Sequence, residues 1–501
     1  MNAKRSLYNL SFGLLQQAVT ILLGLLLPRL VLVNLGSEAN GLMNSITNFF
    51  SYIALLEMGI GSTTIQALYE PLGRKDYPAV NGILAATDRY YKRIGIVYCI
   101  ALVFFAFVYS IAVESTFSKS TIILVIMLTG VNSVVSYFYN GKYDLLLSAD
   151  GMNYIYSIRG TILSILTSVS KIVLLITGFG LVAIQTSYCV CCILGVLYIA
   201  FYLKRHYSWI NPKVKPNFLS LGQKNYVLIH QIAGLVFKNT DTIILTFALG
   251  LKSVSIYAMY TLFFSLVSTL ISTVTSSVRF VLGQAFGNNR EYYLKLHSAY
   301  EVISMGMTFV AYCLVNLFIL PFLRLYTAGV TDANYIDSVL PWLFTALYLL
   351  NNARESSGMT ISFAGHFKQT AGRALLETAI NLTVTILAVW KFGIYGVLIG
   401  TIVALLYRAN DMIIYANRKI LNRSPWITYR RWLLNILLFG LCTFICRCIP
   451  ADCSNYFSLI GWAVLEGILI LFIFVTVNLA IEKDVTKMTI EYVKPKLIKS
   501  N

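Results

Sequence analysis

The apolar residues of this chain fall in long unbroken runs, not in alternation. Each run is about 20 residues long, the length that carries an α-helix across a hydrocarbon core. The continuity of the runs excludes a membrane barrel, whose strands alternate every second residue. The pattern predicts fourteen helical spans, near residues 11–33, 41–66, 94–113, 121–139, 155–177, 180–203, 226–249, 254–278, 302–323, 339–361, 374–391, 394–416, 432–450 and 456–481. Spans 5 and 6 meet at the tight turn Gly178-Phe179-Gly180. Between spans 2 and 3, Val80, Ile83, Leu84 and Tyr91 recur at helical spacing between charged residues, which predicts an amphipathic helix lying in the interface. The first span is too long for a signal peptide and no small-residue cleavage site follows it, so it is expected to remain as a membrane helix.

Composition agrees with that class. Of the 501 residues, 57% are hydrophobic and 12% charged, with a mean hydropathy of +0.72. A soluble domain carries roughly 25% charged residues. The net charge of +18 is spread along the chain and sorts by topology. With the N-terminus on the cytoplasmic side, 28 of the 39 lysines and arginines fall in inside loops and tails and five in outside loops. This is the positive-inside distribution, and an odd number of spans would destroy it. The expected topology is therefore fourteen spans with both termini cytoplasmic. Attraction to anionic headgroups accounts for the basic loops, so no nucleic-acid partner is expected.

A shift of 214 residues superposes the two halves of the chain. Leu35-Gly36 falls on Leu249-Gly250, Gly73 on Gly287, Ser148 on Ser362, Gly151 on Gly365 and Arg159 on Arg373; Phe179-Gly180 matches Phe392-Gly393 at a shift of 213. An even number of spans per copy makes the repeat parallel, with a pseudo-two-fold along the membrane normal. The expected organisation is an N-lobe (1–204), a basic cytoplasmic linker broken by Pro212 and Pro216 (205–225), a C-lobe (226–417), and two extra helices with a basic tail (418–501). The linker suits a tether between lobes that move relative to each other.

No soluble catalytic domain fits in these loops. P-loop, H-E-x-x-H, G-x-S-x-G and zinc spacings are absent, so neither an enzyme nor a metal site is expected. The candidate chemistry lies in ionisable residues inside spans, which are costly in lipid and functional by default. These are Arg29 in span 1, Glu57 in span 2, Lys171 in span 5, Lys238 and Asp241 at i and i+3 in span 7, Arg354 and Glu355 in span 10, and Arg408 and Asp411 in span 12. The bland readings stand beside them. Arg29 can snorkel outward, Lys238 with Asp241 can be a self-neutralising pair, and Arg408 with Asp411 reads as structural. Arg159 and Arg373 sit near the inner face, where they are candidate phosphate contacts or simply shared architecture. Buried arginine and lysine suit an anionic, phosphate-bearing ligand.

Several stretches resemble a known family. Leu25 to Leu42 (LLLPRLVLVNLGSEANGL), Phe49 to Gly61 (FFSYIALLEMGIG) and Ala67 to Tyr77 (ALYEPLGRKDY) resemble the first helices of Wzx-type polysaccharide flippases. Phe237 to Leu245 (FKNTDTIIL) is similar to their seventh helix, and Ala364 to Thr370 (AGHFKQT) to the loop after their tenth. These flippases belong to the multidrug/oligosaccharidyl-lipid/polysaccharide exporter superfamily. The resemblance implies two six-helix lobes of MATE-like fold, a cavity lined by helices 1, 2, 7 and 8, and alternating access in a bacterial inner membrane. It implies undecaprenyl-diphosphate-linked oligosaccharide as substrate, with a polysaccharide polymerase and chain-length machinery as partners in O-antigen, capsule or exopolysaccharide synthesis. Arg29, Lys238 and Asp241, then Glu57, are its best cavity candidates, with Arg354 and Glu355 also in the candidate set. No cofactor is expected beyond a proton or sodium gradient. Asp241 or Glu57 is the titrating candidate, although a carboxylate beside Lys238 favours its charged form. Lipid II flippases share the superfamily, but their arginine-aspartate motif is not seen on this first helix. The rival readings are an ion-coupled multidrug exporter, which should favour cavity carboxylates, and a membrane-embedded polymerase or ligase, which should carry a large outside loop.

Overall fold

The computed structural model describes residues 3–53, 60–211, 214–217, 225–449 and 451–483. Among these residues there are helices and connecting turns but no strand. In chain order the helices are α1 (Ala3–Ile53), α2 (Ile60–Arg74), α3 (Tyr77–Ala112), α4 (Lys119–Val135), α5 (Gly141–Ala149), α6 (Asn153–Ile176), α7 (Leu181–His206) and α8 (Asn225–Asn288). They continue with α9 (Arg290–Tyr326), α10 (Leu340–Ala353), α11 (Glu355–Phe363), α12 (Phe367–Phe392), α13 (Ile394–Tyr415), α14 (Trp426–Cys448) and α15 (Tyr456–Ile481). Short π turns, Ser136–Asn140 and Ala416–Leu421, follow α4 and α13.

Among the described residues, twelve helical segments are long and apolar enough to cross a membrane, which makes this a multi-pass membrane protein. Fourteen spans were expected, and the difference has two physical causes. Leu15–Ile53 counts once, although Gly36 (φ 84°, ψ 174°) breaks it into two rods. The span expected at 339–361 is divided between α10, of 14 residues, and α11, of 9, which meet at Arg354. Counting two rods about Gly36, and α10 with α11 as one bent span, restores fourteen.

The contacts divide the chain into two compact units, residues 1–255 and 256–501. The boundary falls beyond the linker, because the first part of α8 belongs with the first unit. Its polar side chains show why. Asn40 Nδ2 donates to Ser255 Oγ at 2.8 Å, Ser45 Oγ and Thr246 Oγ1 share a hydrogen bond of 2.8 Å, and Tyr109 donates to Ser45 Oγ at 2.8 Å. All of these groups are buried, where a missing partner would cost free energy. A Cβ added to Gly41 would lie 1.9 Å from the Leu251 carbonyl oxygen, so only glycine lets these two backbones meet. Around this contact sits an apolar core that includes Val31, Leu42, Ile46, Tyr98, Tyr109 and Val125.

The second unit has an aromatic core. Phe264 stacks on Phe344 at 5.5 Å and on Tyr312 at 5.9 Å, and the Tyr260 hydroxyl donates to the Tyr335 carbonyl at 2.9 Å. Helices α12 and α13 approach closely at two glycines. A Cβ on Gly400 would lie 2.1 Å from Thr385 Oγ1, and one on Gly396 would lie 2.3 Å from the Ala388 carbonyl oxygen. Small residues four apart are the usual means of such approach in lipid, where van der Waals packing drives association.

Local geometry follows the repeat. Gly36 and Gly250 adopt nearly identical positive-φ conformations (84°, 174° and 78°, 176°), and Gly151 and Gly365 have φ of 72° and 68°. The irregular stretch between α4 and α5 has its counterpart in the break at Arg354. In the third pair of turns the positive φ falls on Gly178 and Gly393, while Gly180 is extended, so the backbone pairs a different glycine from the one the sequence aligned.

Two sequence expectations change here. The amphipathic stretch 80–91 is not a separate interfacial helix but the first half of α3. Its apolar face is covered by protein: Val80, Ile83 and Leu84 pack against Leu146, Leu147, Ile199 and Leu203. Periodicity specified a face to be covered, and helices cover it instead of lipid. Described residues of the linker are also fastened to the start of α3. Asn81 Nδ2 donates to the Trp209 carbonyl at 3.2 Å, Asn211 N donates to Asn81 Oδ1 at 2.9 Å, and Asn217 N donates to the Gly82 carbonyl at 3.0 Å.

Gly41→Ala is expected to lower thermal stability in detergent by about 1–3 kcal/mol, the usual cost of overpacking. Gly73→Ala, where a Cβ meets nothing within 4 Å, serves as the control. Equal stability of the two variants, by thermal unfolding, would contradict the close approach.

Candidate functional site

An ionised side chain in a span must find its counter-charge inside the protein. The second unit meets this requirement with a chain of five groups. It starts where α10 ends, at Arg354, whose carbonyl accepts from Gly358 N at 2.7 Å as the helix restarts. The break places the Arg354 guanidinium against Glu377 of α12 and, at 2.7 Å, Asn351 Oδ1. Glu377 Oε2 also lies 3.3 Å from Arg408 Nε of α13. Arg408 Nη1 donates to Asp411 Oδ2 at 2.8 Å, and the other oxygen of Asp411 accepts from Arg373. Three guanidiniums thus face two carboxylates. The surplus positive charge is accessible at the Arg373 end, where that side chain is 40% exposed and lies over the Tyr415 ring at 4.8 Å. Guanidinium presents several donors in a planar fork, so such an end can take an anionic oxygen but offers no nucleophile or general base.

A second cluster ties α9, α14 and the end of α15. Glu301 is 2% exposed and accepts from Arg423 at 2.9 Å, Arg431 at 2.6 Å and Thr428 at 2.8 Å. Arg431 also donates to Glu482 at 2.7 Å and to Ser298 at 2.6 Å, and Arg430 donates to Glu482 at 2.6 Å. His297 shares a hydrogen bond of 2.9 Å with Ser356 nearby in sequence to this cluster. Every carboxylate oxygen here has a donor, which is what makes such burial tolerable. Burial alone would raise the Glu482 carboxyl; hydrogen bonds and charge from Arg431 and Arg430 outweigh it and hold the group below its ordinary value.

The first unit holds the other candidates. Arg29 is half-buried on α1, directly after Pro28. On α8, Asp241 is 3% exposed whereas Lys238 is exposed, and no ion pair joins them among the described residues. Tyr52 reaches the same stretch, donating to the Val236 carbonyl at 3.0 Å and sharing a hydrogen bond of 2.8 Å with Thr240. Glu57 lies outside the described residues. Lys171 contacts the Tyr188 ring at 5.8 Å. Arg159 donates to Asp144 Oδ2 at 2.8 Å.

The structure therefore joins Arg354 to the Arg408–Asp411 pair, which the sequence placed on different spans, through Glu377, which it did not single out, and adds Arg373 at Asp411. Glu355 is excluded from that chain: it is exposed and lines a small cavity with Tyr300, Asn352 and Ser356. Glu377 sits four residues after Arg373, but that i, i+4 spacing does not mark its partners, which are Arg354 and Arg408. Arg159 and Arg373 recur at equivalent places but take their aspartates from different helices, α5 and α13. No group of three or more His, Cys, Asp or Glu is placed to hold a metal among the described residues.

No protein-family model matches the sequence, and no curated protein matches it. The likeness to known proteins is one of fold. The chain is similar to the lipid II flippase MurJ in its inward closed conformation, with a TM-score of 0.66 at 15% identity over 94% of this chain and 99% of that one. It is also similar to an inward-facing multidrug resistance MATE family transporter of the MOP superfamily, with a TM-score of 0.62 at 16% identity over 83% and 98%. The fold is that of the MOP-superfamily transporters. A MATE structure in complex with MaL6 has a TM-score of 0.53 at 15% identity over 84% and 97%. These neighbours are transporters and a flippase, and none is an enzyme.

Glu377→Gln is expected to leave Arg354 and Arg408 short of counter-charge and to cost about 3–5 kcal/mol, the usual result of breaking a buried pair. Thermal unfolding in detergent measures this, and wild-type stability would refute the network. The second cluster gives a pH prediction. The Glu482 carboxyl is held lower in the fold than in the unfolded chain, so its stabilisation is complete above about pH 4.5 and is lost as pH falls through the folded value. Glu482→Gln should flatten stability against pH below that point and leave the slope between pH 5 and 8 unchanged, since both states of this carboxyl are ionised there. An unaltered acid slope would show that the carboxylate does not contribute.

Proposed function

We propose that this protein is a flippase for lipid-linked oligosaccharide, carrying undecaprenyl-diphosphate-linked repeat units from the cytoplasmic to the outer leaflet of a bacterial inner membrane for surface polysaccharide synthesis. The observation that carries the reading is the likeness of fold to a lipid II flippase over 94% of the chain. The resemblance of the α1, α8 and post-α11 sequences to Wzx-type flippases points the same way, as does an excess of guanidinium over carboxylate in the α10–α13 network.

In this reading cations hold the diphosphate, the sugar stays in a polar cavity and the lipid tail remains in the bilayer while the access side alternates. Lys238 is the primary diphosphate contact, being exposed and outside any ion pair among the described residues, and Arg29 is the second. Asp241 is better suited to holding α8 in place than to substrate contact, since it is buried. Both termini are cytoplasmic, a proton or sodium gradient resets the cycle, and a polymerase with its chain-length machinery receives the product.

The MATE likeness supports a second reading, ion-coupled export of drugs. A strain dependent on this protein for surface polysaccharide separates the two. Lys238→Ala with Arg29→Ala is expected to lower surface polysaccharide at least tenfold at equal membrane abundance, with lipid-linked repeats accumulating inside. Ethidium efflux should stay at background. Wild-type polysaccharide in the double variant would remove these residues from the site; efflux without a polysaccharide phenotype would favour the drug exporter.

A further inference from the structure

The first half of the linker does more than join two parts of the chain. With the start of α3 and with α5 it closes a cavity of about 140 Å³ lined by Asn81, Asp88, Arg89, Lys142, Tyr143 and Asn211, among others. Three sides are chemically distinct. The α3 wall contributes Arg89, which is exposed and makes no hydrogen bond or ion pair among the described residues. The α5 wall contributes Lys142, whose ammonium lies 4.8 Å from the centre of the Tyr143 ring and is paired with Asp88. An ammonium has three donors, so this pairing leaves others for a ligand. The linker wall, Ile210, Asn211 and Val214, is held in place by Asn81, which is 6% exposed and bonds the backbone on both sides of Ile210.

We infer that this cavity binds a phosphate group, supplied by an anionic phospholipid headgroup, and that occupancy fastens the linker to the start of α3. The charge balance sets the ligand class. Asp88 is the one carboxylate in the lining and it is shared between Lys142 and, at 2.8 Å, Lys92, so the lining and its edge are net positive. A guanidinium fork beside an ammonium is the pairing that recognises phosphate oxygens. The location sets the source. Helix α3 runs from the cavity directly into a membrane span, and the basic-loop asymmetry puts this end at the cytoplasmic leaflet, where anionic headgroups concentrate. The linker amides of Asn211 and Asn217 bond to Asn81 and Gly82 of α3, so a ligand that braces Arg89 and Asn211 also slows the opening of those bonds.

Hydrogen exchange of the full-length protein tests this without reference to transport, and so fails independently of the proposed function. Peptides covering residues 205–217 are compared in nanodiscs of phosphatidylcholine alone, of phosphatidylcholine with one-third phosphatidylglycerol, and of phosphatidylcholine with inorganic phosphate in solution. Phosphatidylglycerol is expected to slow exchange at least threefold, and Arg89→Ala to abolish the effect. Arg93→Ala, an equal charge loss on the same helix outside the lining, should preserve it. Protection by inorganic phosphate alone would keep the phosphate chemistry but overturn the lipid source. Unchanged exchange in all three conditions, or equal loss of protection in both variants, would overturn the site.

Discussion

In hydrocarbon every backbone N–H and C=O must find its partner within the chain, and this protein's architecture follows from that requirement. It makes each apolar run a helix and confines changes of direction to residues that can turn without leaving groups unpaired. Gly36 and Gly250 turn the chain at a single residue with φ near 80°, a conformation that costs other residues free energy. Where a span is interrupted away from glycine, the freed groups are recaptured at once, as when Gly358 N bonds the Arg354 carbonyl.

The same scarcity of water governs the charges. Three carboxylates of the second unit are each shared among several donors: Glu377 between two arginines, Asp411 between two, Glu301 between two arginines and a threonine. Arginine predominates because its fork can satisfy two carboxylates at once, as Arg408 and Arg431 do. The repeat preserves the arginine of the inner turn but not its partner. Arg159 meets an aspartate 15 residues earlier, whereas Arg373 meets one 38 residues later. The requirement for a counter-charge is conserved in geometry, while the helix that supplies it differs between the two halves.

What was legible in the sequence is what a single helix or turn determines. Most of the spans, the glycine corners at Gly36 and Gly250 and at Gly151 and Gly365, and the Arg408–Asp411 pair at i, i+3 depend on local spacing alone and lie where the pattern puts them; the 339–361 span is broken at Arg354, and the third corner turns at Gly178, not at Gly180. The sequence was silent on pairings that depend on which helices become neighbours. Glu377 was missed because its partners lie 23 and 31 residues away, and Glu301 because its arginines are 122 and 130 residues away. The face formed by Val80, Ile83 and Leu84 was visible, but not that helices would cover it. Spacing also overreached: Lys238 and Asp241 are close enough in sequence to pair, yet one side chain is exposed and the other buried.

That last contrast separates the cations by availability. Arg354, Arg373, Arg408, Arg423 and Arg431 already have carboxylates, so an anionic ligand would compete with a bond that the fold needs. Arg373 is partly relieved of that conflict by its exposed end and by the surplus charge of its network. Lys238 and Arg89 have no such conflict among the described residues. A phosphate group arriving at either gains an interaction without breaking one, and the protein loses no buried pair when the ligand leaves. The proposed flippase needs this asymmetry, because a site that also holds the fold together could not be emptied on every cycle. The paired arginines tie helices together, and among the described residues Lys238 and Arg89, which have no carboxylate partner, are the cations that the proposed ligands would engage at no cost to a buried pair.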